Sequence, residues 1–201
     1  MSAGPIIDGI VLAAGASRRM GSSKALLDIS GQSFLEHAIA GLRSAGCRYV
    51  VAVVNSDDDW SARLADVSGG AVVVNDNPDS EQIDSLRLAI ANLPEDSAGA
   101  VVLPVDFPRI HPETMRRLIA EFRRGAARIV NPSYNGVVGH PVVFARSLFA
   151  ELLRPDLPDG ARSVMSAHAA EARTIEVDDP GITVDVDTPA DYEKHVTNET
   201  R

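Results

Sequence analysis

The sequence predicts an α/β domain built on a mostly parallel, doubly wound sheet. Apolar runs at 49–54, 71–74 and 100–105, and one at 6–12 that only Asp8 and Gly9 interrupt, are typical of strands that are buried on both faces. Apolar residues at helical spacing separate these runs, and a regular alternation of strand and helix indicates parallel strands. Because 201 residues suffice for one such unit and no linker or repeat divides them, we expect a single domain. Frayed ends are expected at 1–4 and 197–201.

Four helices are expected to connect the first strands. Ser33 and Glu36 form a capping box at the start of the first helix, and Gly46 is placed to end it. Pro112 suits the first position of the fourth helix. The expected ranges are 33–45, 57–67, 80–93 with Ser80 as its cap, and 112–124.

The second half of the chain is less regular. Thr188 and Pro189 are expected to open the last helix as its cap and first residue. Before it, the pattern predicts strands at 129–131, 141–145, 174–177 and 182–187, a polar loop at 132–140, and helices at 147–153 and 161–170.

Charge and composition exclude several classes of function. The formal net charge of −9 argues against nucleic-acid binding through phosphate contacts. No signal peptide and no apolar run of membrane length are found, so no membrane association is expected. The single cysteine, Cys47, excludes an internal disulfide and favours a cytoplasmic location.

The most informative stretch is the end of the first strand and the loop after it, residues 10–24. The strand changes abruptly into small residues that include two glycines, followed by three cations, Arg18, Arg19 and Lys24. Small side chains let backbone N–H groups approach an anion, and the arginines and lysine add fixed positive charge. This arrangement at the end of a buried strand predicts a site for a nucleoside triphosphate.

Two common phosphate-binding motifs do not account for this loop. The P-loop requires four residues between its glycines and a lysine after the second, but five separate Gly15 from Gly21 and Ser22 follows. The dinucleotide fingerprint requires a glycine where this chain has Ser17. The second strand also ends at Asn55, where a dinucleotide site would need an acidic residue.

The loop resembles the signature LAAGxSxRMGxxK of the MobA-like nucleotidyltransferases. The resemblance implies a Rossmann-like three-layer αβα sandwich of the nucleotide-diphospho-sugar transferase type. It also implies transfer of a nucleoside monophosphate from an NTP to an acceptor phosphate, with release of pyrophosphate and help from Mg²⁺. The Ala-Ala-Gly form is similar to the molybdenum cofactor cytidylyltransferase branch, which favours CTP. The matching residues are Leu12, Ala13, Ala14, Gly15, Ser17, Arg18 or Arg19, Met20, Gly21 and Lys24.

Asp106 is the first carboxylate of interest, because it directly follows the apolar run 101–105. An aspartate at the carboxyl end of a parallel strand faces the ligand crevice, and its hard oxygen atoms suit Mg²⁺. The alternative is an aspartate that starts a turn ahead of Pro108. The setting resembles the family pattern V-D-x-P, which implies a metal ligand.

Asp185 and Asp187 are two residues apart and share one face of the expected strand. On their own they are equally consistent with a solvated edge. The run from Asp185 to Tyr192 resembles the family segment D-I-D-T-P-x-D-Y, which lies near the metal and the acceptor. The resemblance implies Asp185 as the second metal ligand and Asp187 as an acceptor contact, with Asp187 the alternative ligand.

Two further segments resemble family motifs. Gly139-His140-Pro141 matches G-H-P, which implies that Gly139 and His140 contact the acceptor; a lone histidine is more often structural. Ser85 matches the serine of a nucleotide-binding segment, although it could also be an ordinary helical residue.

The resemblance has departures where base and acceptor are recognised. Glu81-Gln82 stands where the family usually has Gly-Met, Pro158 replaces an aspartate, and Val137-Val138 replaces a basic pair. The triphosphate loop and the carboxylates are retained, so the reaction class is predicted more firmly than the substrate.

The resemblance implies four groups of site residues and two substrates. The partners are an NTP, with CTP favoured, and a phosphorylated acceptor, above all molybdopterin, with a molybdoenzyme or its chaperone downstream. Three alternatives stay open: another acceptor such as phospholactate or a sugar phosphate, a nicotinamide-dependent reductase, and a non-catalytic cofactor carrier. The implied catalytic residues are Arg18, Lys24 and Asp106; the nucleotide-binding residues are Leu12, Ala13, Ala14, Gly15, Ser17, Arg18, Lys24 and Ser85; the metal ligands are Asp106 and Asp185; the acceptor contacts are Gly139, His140 and Asp187.

Overall fold

A computed structural model describes residues 4–15, 17, 19–56, 58–77 and 79–197. Its strands are β1 (Ile7–Ala13), β2 (Asp28–Ile29), β3 (Gln32–Ser33), β4 (Val50–Asn55), β5 (Ala71–Asn75), β6 (Gly99–Pro104), β7 (Ile129–Tyr134), β8 (Val137–Val138), β9 (Val142–Ala145) and β10 (Ala172–Glu176). Its α-helices are α1 (Phe34–Ser44), α2 (Asp59–Val67), α3 (Gln82–Ala91), α4 (Pro112–Arg123), α5 (Phe149–Leu152), α6 (Ala161–Ala167) and α7 (Pro189–Tyr192). Within these described ranges, none of the helices combines the length and apolar character that crossing a bilayer requires.

The main sheet has the strand order β10-β7-β9-β6-β1-β4-β5, with β8 paired to β7. The central strands β6, β1, β4 and β5 are parallel to one another. β9 runs antiparallel to both of its neighbours, β6 and β7. The expected mostly parallel sheet is therefore confirmed, and the carboxyl ends of the central strands meet at one edge.

Helices cover both faces of the sheet because its central strands are apolar on both faces. β1 is buried along its whole length. Val11 packs in a cluster with side chains of α1 and α4, whereas Ile10 packs in a second cluster with side chains of α3 and α5. These two cores give the expected three-layer αβα arrangement.

Most of the expected helix boundaries are found. Ser33 and Glu36 form the capping box of α1, and Gly46 follows its C-terminus with a φ of 103°. Pro112 is the first residue of α4. The cap expected at Ser80 is wrong: Glu81 is the N-cap of α3, because the Ser80 hydroxyl instead accepts a hydrogen bond from a buried asparagine of β5.

The strand expected at 182–187 is wrong. Residues 180–183 form a 3-10 helix, whose start is fixed by a hydrogen bond from the Gly181 N–H to the Asp179 carboxylate, 3.0 Å long. The chain beyond it is extended but joins no sheet, and the Val186 N–H donates to the Asp106 carbonyl at 2.8 Å. The expected alternation of buried and exposed side chains is still found here, since Val186 is buried and Asp185 is exposed.

The polar loop expected at 132–140 contains a β-hairpin. Asn135 and Gly136 both have positive φ, 50° and 78°, which is the two-residue turn that matches the twist of a hairpin. The turn lets β7 continue to Tyr134 and pair with β8. Three smaller boundaries also shift: the last strand is 172–176, helix 147–153 is a 3-10 turn followed by α5, and helix 161–170 ends at 167 with a separate turn at 169–171.

Candidate active site

A cavity of about 560 Å³ opens at the carboxyl edge of the central strands. We call it the first cavity. It lies where β1 gives way to its small-residue loop and where β6 ends, so chain segments that are far apart in sequence converge on it. Its lining includes Leu12, Ala13, Ala14, Gly15, Ser17, Arg19, Lys24, Asp79, Ser80, Glu81, Gln82, Ser85, Asp106 and Asp187.

Ser17 organises the loop that follows β1. Its φ of 47° lies in the left-handed region, which turns the chain sharply. The Ser17 hydroxyl accepts a hydrogen bond from the Lys24 backbone N–H at 3.1 Å, and its carbonyl accepts one from Met20 at 3.0 Å. A Cβ added at Gly15 would meet no atom within 4 Å, so the space above this glycine is open to a ligand.

Lys24, Asp106 and Asp187 form one charged group in the first cavity, which we call the lysine–aspartate cluster. The Lys24 ammonium lies 3.3 Å from the Asp106 carboxylate and makes a shorter ion pair with Asp187. The Lys24 side chain is only 14% exposed, so solvent screens these pairs weakly. Arg19, which is 72% exposed, pairs with Asp187 from outside at 2.6 Å.

The two carboxylates of the cluster have opposite pKa shifts. Burial raises the pKa of Asp106, and the charge and hydrogen bond of Lys24 offset only part of this. The hydrogen bond from Lys24 lowers the pKa of Asp187, and the charges of Lys24 and Arg19 act in the same direction. Asp106 is therefore the costlier carboxylate to keep ionised.

The lysine–aspartate cluster can accommodate a divalent metal. Asp106 Oδ1 is buried and has no hydrogen-bond partner among the described residues, so it is free to ligate a cation. No group of three or more His, Cys, Asp or Glu side chains suited to a metal occurs in the described part of the chain. A metal held here would need substrate phosphate or water as further ligands, which is usual for Mg²⁺.

Asp185, expected as the second metal ligand, is not part of this cluster. Asp185 is exposed and belongs to the walls of neither this cavity nor the one described below. Arg18, expected to be catalytic and to bind the nucleotide, lies outside the described residues.

Asn75 is a site residue that the sequence reasoning missed. It is the last residue of β5 and is 4% exposed. Its side-chain amide donates to the hydroxyls of Ser80 and Ser85 at 2.9 and 3.0 Å, and its side-chain oxygen accepts from the Asn77 N–H at 3.2 Å. These hydrogen bonds fix Ser80 and Ser85 in the wall of the first cavity. The sequence feature that could have identified Asn75 is a polar residue directly after an apolar run.

A second cavity, of about 630 Å³, adjoins the first. The two share Leu12, Glu81, Gln82 and Pro104 in their walls. A ligand in one cavity could therefore reach a ligand in the other.

Gly139 and His140 line the second cavity. A Cβ at Gly139 would collide with the carbonyl of Ile182, and the His140 N–H donates to that same carbonyl at 2.9 Å. The His140 ring packs against Phe107 with centroids 4.6 Å apart. Burial lowers the pKa of His140 to about 4, so the ring is neutral near pH 7, and its Nδ1 has no hydrogen-bond partner among the described residues.

The structure thus separates the predicted site residues into two neighbouring groups. Asp187, expected as an acceptor contact, lies in the wall of the first cavity. The first cavity also brings together Leu12, Ala13, Ala14, Gly15, Ser17, Lys24, Ser85 and Asp106, and the second brings together Gly139 and His140.

Three curated proteins illustrate what the sequence is similar to. A molybdenum cofactor guanylyltransferase of Xanthomonas euvesicatoria is 38% identical over 112 residues, which is 56% of this chain and 53% of that protein. This chain thus matches about half the length of that relative. A molybdenum cofactor cytidylyltransferase of Escherichia coli is 24% identical, and a nicotine blue oxidoreductase of Paenarthrobacter nicotinovorans is 29% identical; each match covers 92% of this chain and 93% of the relative.

Solved structures agree in fold. Rv0371c from Mycobacterium tuberculosis superposes with a TM-score of 0.83 at 30% identity, covering 98% of this chain and all of that one. Its complex with manganese superposes with a TM-score of 0.78 at 28% identity, covering 97% of this chain.

Residues 9–172 match the model of the MobA-like NTP transferase domain. The match begins within β1 and includes the loop after it, the other central strands of the sheet and Asp106. The expected enzyme class, nucleotidyltransferase, is confirmed at the level of the family. The chain belongs to the family of MobA-like NTP transferase domains.

Proposed function

We propose that this protein transfers a nucleoside monophosphate, CMP in preference, from an NTP to the phosphate of a small acceptor and releases pyrophosphate. Molybdopterin is the favoured acceptor. The observation that carries the proposal is the lysine–aspartate cluster: one cation and two carboxylates from distant segments meet beside the glycine loop. The ammonium of Lys24 complements the negative charge of a triphosphate and of its leaving group, and the two carboxylates suit the divalent cation that accompanies them.

The loop after β1 supplies the binding groups for the triphosphate. We expect the backbone amides of Ala14, Gly15 and Ser17, which line the first cavity, to bind the triphosphate, and Lys24 to contact its β- and γ-phosphates. An oxygen of the acceptor phosphate attacks the α-phosphorus, the bond to the β-phosphate breaks, and pyrophosphate leaves with the electron pair. No protein base is required, because the second pKa of a phosphate monoester is about 6.

Asp106 and Asp187 would hold Mg²⁺ in this proposal. The unpartnered Oδ1 of Asp106 and its position across Lys24 from Asp187 favour this pair over Asp106 with exposed Asp185. Bound there, Mg²⁺ supplies charge neutralisation at the α-phosphate and the leaving group.

Ala14 is proposed to favour CTP over GTP. Its methyl group stands in the wall of the first cavity and narrows the space for a base. Shape exclusion of this kind is worth about 1–3 kcal/mol, roughly 10–200-fold in kcat/KM. Glu81, in the same wall, would favour GTP instead, because a carboxylate can pair with guanine. Measurement of kcat/KM for both nucleotides on the native protein and on Ala14→Gly tests the idea; native preference for GTP, or no shift toward GTP in the variant, would contradict it.

The proposed reaction is tested by presenting the four NTPs with molybdopterin and with simple phosphates while pyrophosphate release is followed. We expect CTP with molybdopterin to be the most active pair. No pyrophosphate release with any pair at saturating Mg²⁺ would refute the proposal.

A reductase is the second candidate, because a relative named nicotine blue oxidoreductase matches over nearly the whole chain. Oxidation of a reduced nicotinamide, seen by its absorbance, with no consumption of NTP would favour this candidate. Consumption of NTP with unchanged nicotinamide absorbance would exclude it.

A further inference from the structure

The second cavity differs from the first in the chemistry of its walls. Most of its lining is apolar, and the apolar side chains come from every segment around it. Leu86 and Phe144 form part of its interior, whereas Phe107 and Met165 are only partly buried. A cavity of this composition binds best to a ligand that buries apolar surface.

Two valines of the hairpin extend this apolar surface to the rim. Val137 is 57% exposed and Val138 is 52% exposed, and both line the second cavity. Paired exposed valines beside a cavity leave apolar surface in water that a suitable ligand would cover.

Charged groups are few in this cavity. Arg162 is its single cation among the described residues, and Glu81 and Asp159 oppose it with two carboxylates. The walls therefore disfavour a ligand that carries further negative charges in addition to the phosphate that accepts the nucleotidyl group.

The Phe107–His140 pair offers an aromatic surface and one polar contact. The two rings lie 4.6 Å apart at 53°, which leaves ring edges and faces available to a planar ligand. The unpartnered Nδ1 of His140 can make one hydrogen bond to it. Phe107, Val137 and Val138 offer no side-chain hydrogen bond to a polyhydroxylated ligand, whose hydroxyl groups would lose their bonds to water on that side of the cavity.

We infer that the acceptor is a phosphate monoester that carries a planar ring system, and that this ring lies in the second cavity against Phe107, Val137 and Val138. Its phosphate lies at the wall shared with the first cavity. The inference rests on the proposed function for the role of that phosphate, and it disfavours phospholactate and sugar phosphates as acceptors.

The test compares two phosphate monoesters of equal charge, 1-naphthyl phosphate and glucose 1-phosphate. Their binding is measured by calorimetry in the presence of a non-hydrolysable CTP analogue. We expect the naphthyl ester to bind at least about tenfold more tightly, the discrimination that an apolar pocket commonly gives. Equal or tighter binding of glucose 1-phosphate would overturn the inference.

Threonine substitutions show whether the hairpin valines cause the preference. The variant Val137→Thr/Val138→Thr keeps size and strand propensity but removes apolar surface. The matched control is Val74→Thr, an exposed valine of edge strand β5 that lines neither cavity. We expect naphthyl phosphate to bind roughly five- to tenfold more weakly to the double variant and unchanged to the control. Equal effects of both variants would overturn the assignment.

Turnover separates this inference from the proposed function. Pyrophosphate release with glucose 1-phosphate but not with 1-naphthyl phosphate would support the transferase and overturn the planar-ring acceptor. Selective binding of the naphthyl ester without any NTP consumption would support the ring site and overturn the transferase.

Discussion

Replacing Lys24 with methionine tests the lysine–aspartate cluster most completely. The substitution keeps the length of the side chain and removes its charge. Lys24 contacts both Asp106 and Asp187 and is 14% exposed, so its interactions are screened less than those of a surface lysine. We expect it to exchange these carboxylates for the β- and γ-phosphates when an NTP binds.

The size of the effect follows from the type of contact. A hydrogen bond to a charged group contributes about 1.5–3 kcal/mol. Loss of that contact should raise the Kd of a non-hydrolysable NTP about 10- to 150-fold, since each 1.4 kcal/mol is tenfold. The Kd of the NMP should change by less than about threefold, because it lacks the phosphates that Lys24 contacts. Calorimetry with both ligands measures the two changes.

The same variant should bind a divalent metal more tightly. Without the ammonium, Asp106 and Asp187 are like charges with less compensation, so Mn²⁺ alone should gain roughly three- to tenfold in affinity, measured by electron paramagnetic resonance. Arg19→Met is the control inside the site, since its 72% exposed ion pair should matter less. Arg124→Met is the remote control, at the C-terminal end of α4. Equal losses for NTP and NMP, or unchanged Mn²⁺ affinity, would refute the reasoning.

Three further predictions concern catalysis and stability. Asp106→Asn should lower turnover on the order of 10²-fold or more. Because burial raises the pKa of Asp106, its ionised form destabilises the fold above that pKa. The Tm of the variant at pH 7 should therefore equal or exceed the native Tm, and a clear loss of Tm would contradict this. Asp8→Ala should lower the free energy of unfolding, measured by chemical denaturation, by about 1–3 kcal/mol, because Asp8 is fully buried and accepts hydrogen bonds from Arg48 and from the Tyr49 N–H. Asp96→Ala should have a clearly smaller effect, because Asp96 pairs with the exposed side of the same arginine; equal losses for the two variants would refute this. Burial raises the pKa of the Cys47 thiol to about 12, so it should resist alkylation at pH 8 until the protein unfolds, and rapid labelling of the folded protein would contradict its burial.

The parallel core could be predicted because its signals are local. Three signals depend on neighbouring residues only: the mainly apolar run of β1, the capping box at Ser33 and Glu36, and Pro112 at the start of α4. The carboxylate at Asp106 followed from the same logic, since it comes directly after a buried strand.

The segment before α7 could not be predicted in the same way. Alternating apolar residues at 182–187 look like a strand, but a strand needs a partner, and here the backbone pairs with the Asp106 carbonyl instead. Asp179 fixes the preceding turn by accepting from the His111 N–H and the Thr114 hydroxyl, contacts 65 and more residues away in sequence. Such long-range contacts leave no periodic signal.

The partners within the site were also beyond local reasoning. Nothing in the spacing of Lys24, Asp106 and Asp187 indicates which two carboxylates meet the lysine, because that depends on how the last segment crosses the sheet edge. The hairpin at Asn135-Gly136 was different: its turn signal is local and was overlooked.

The fate of the α-phosphate tests the central claim most directly. The protein is incubated with Mg²⁺, an acceptor phosphate and CTP labelled at the α- or the γ-phosphate. We predict that the α-label appears in a new product joined to the acceptor, that the γ-label appears only in pyrophosphate, and that Asp106→Asn suppresses both. Release of the γ-label as orthophosphate, or intact CTP with every acceptor tried, would contradict the account.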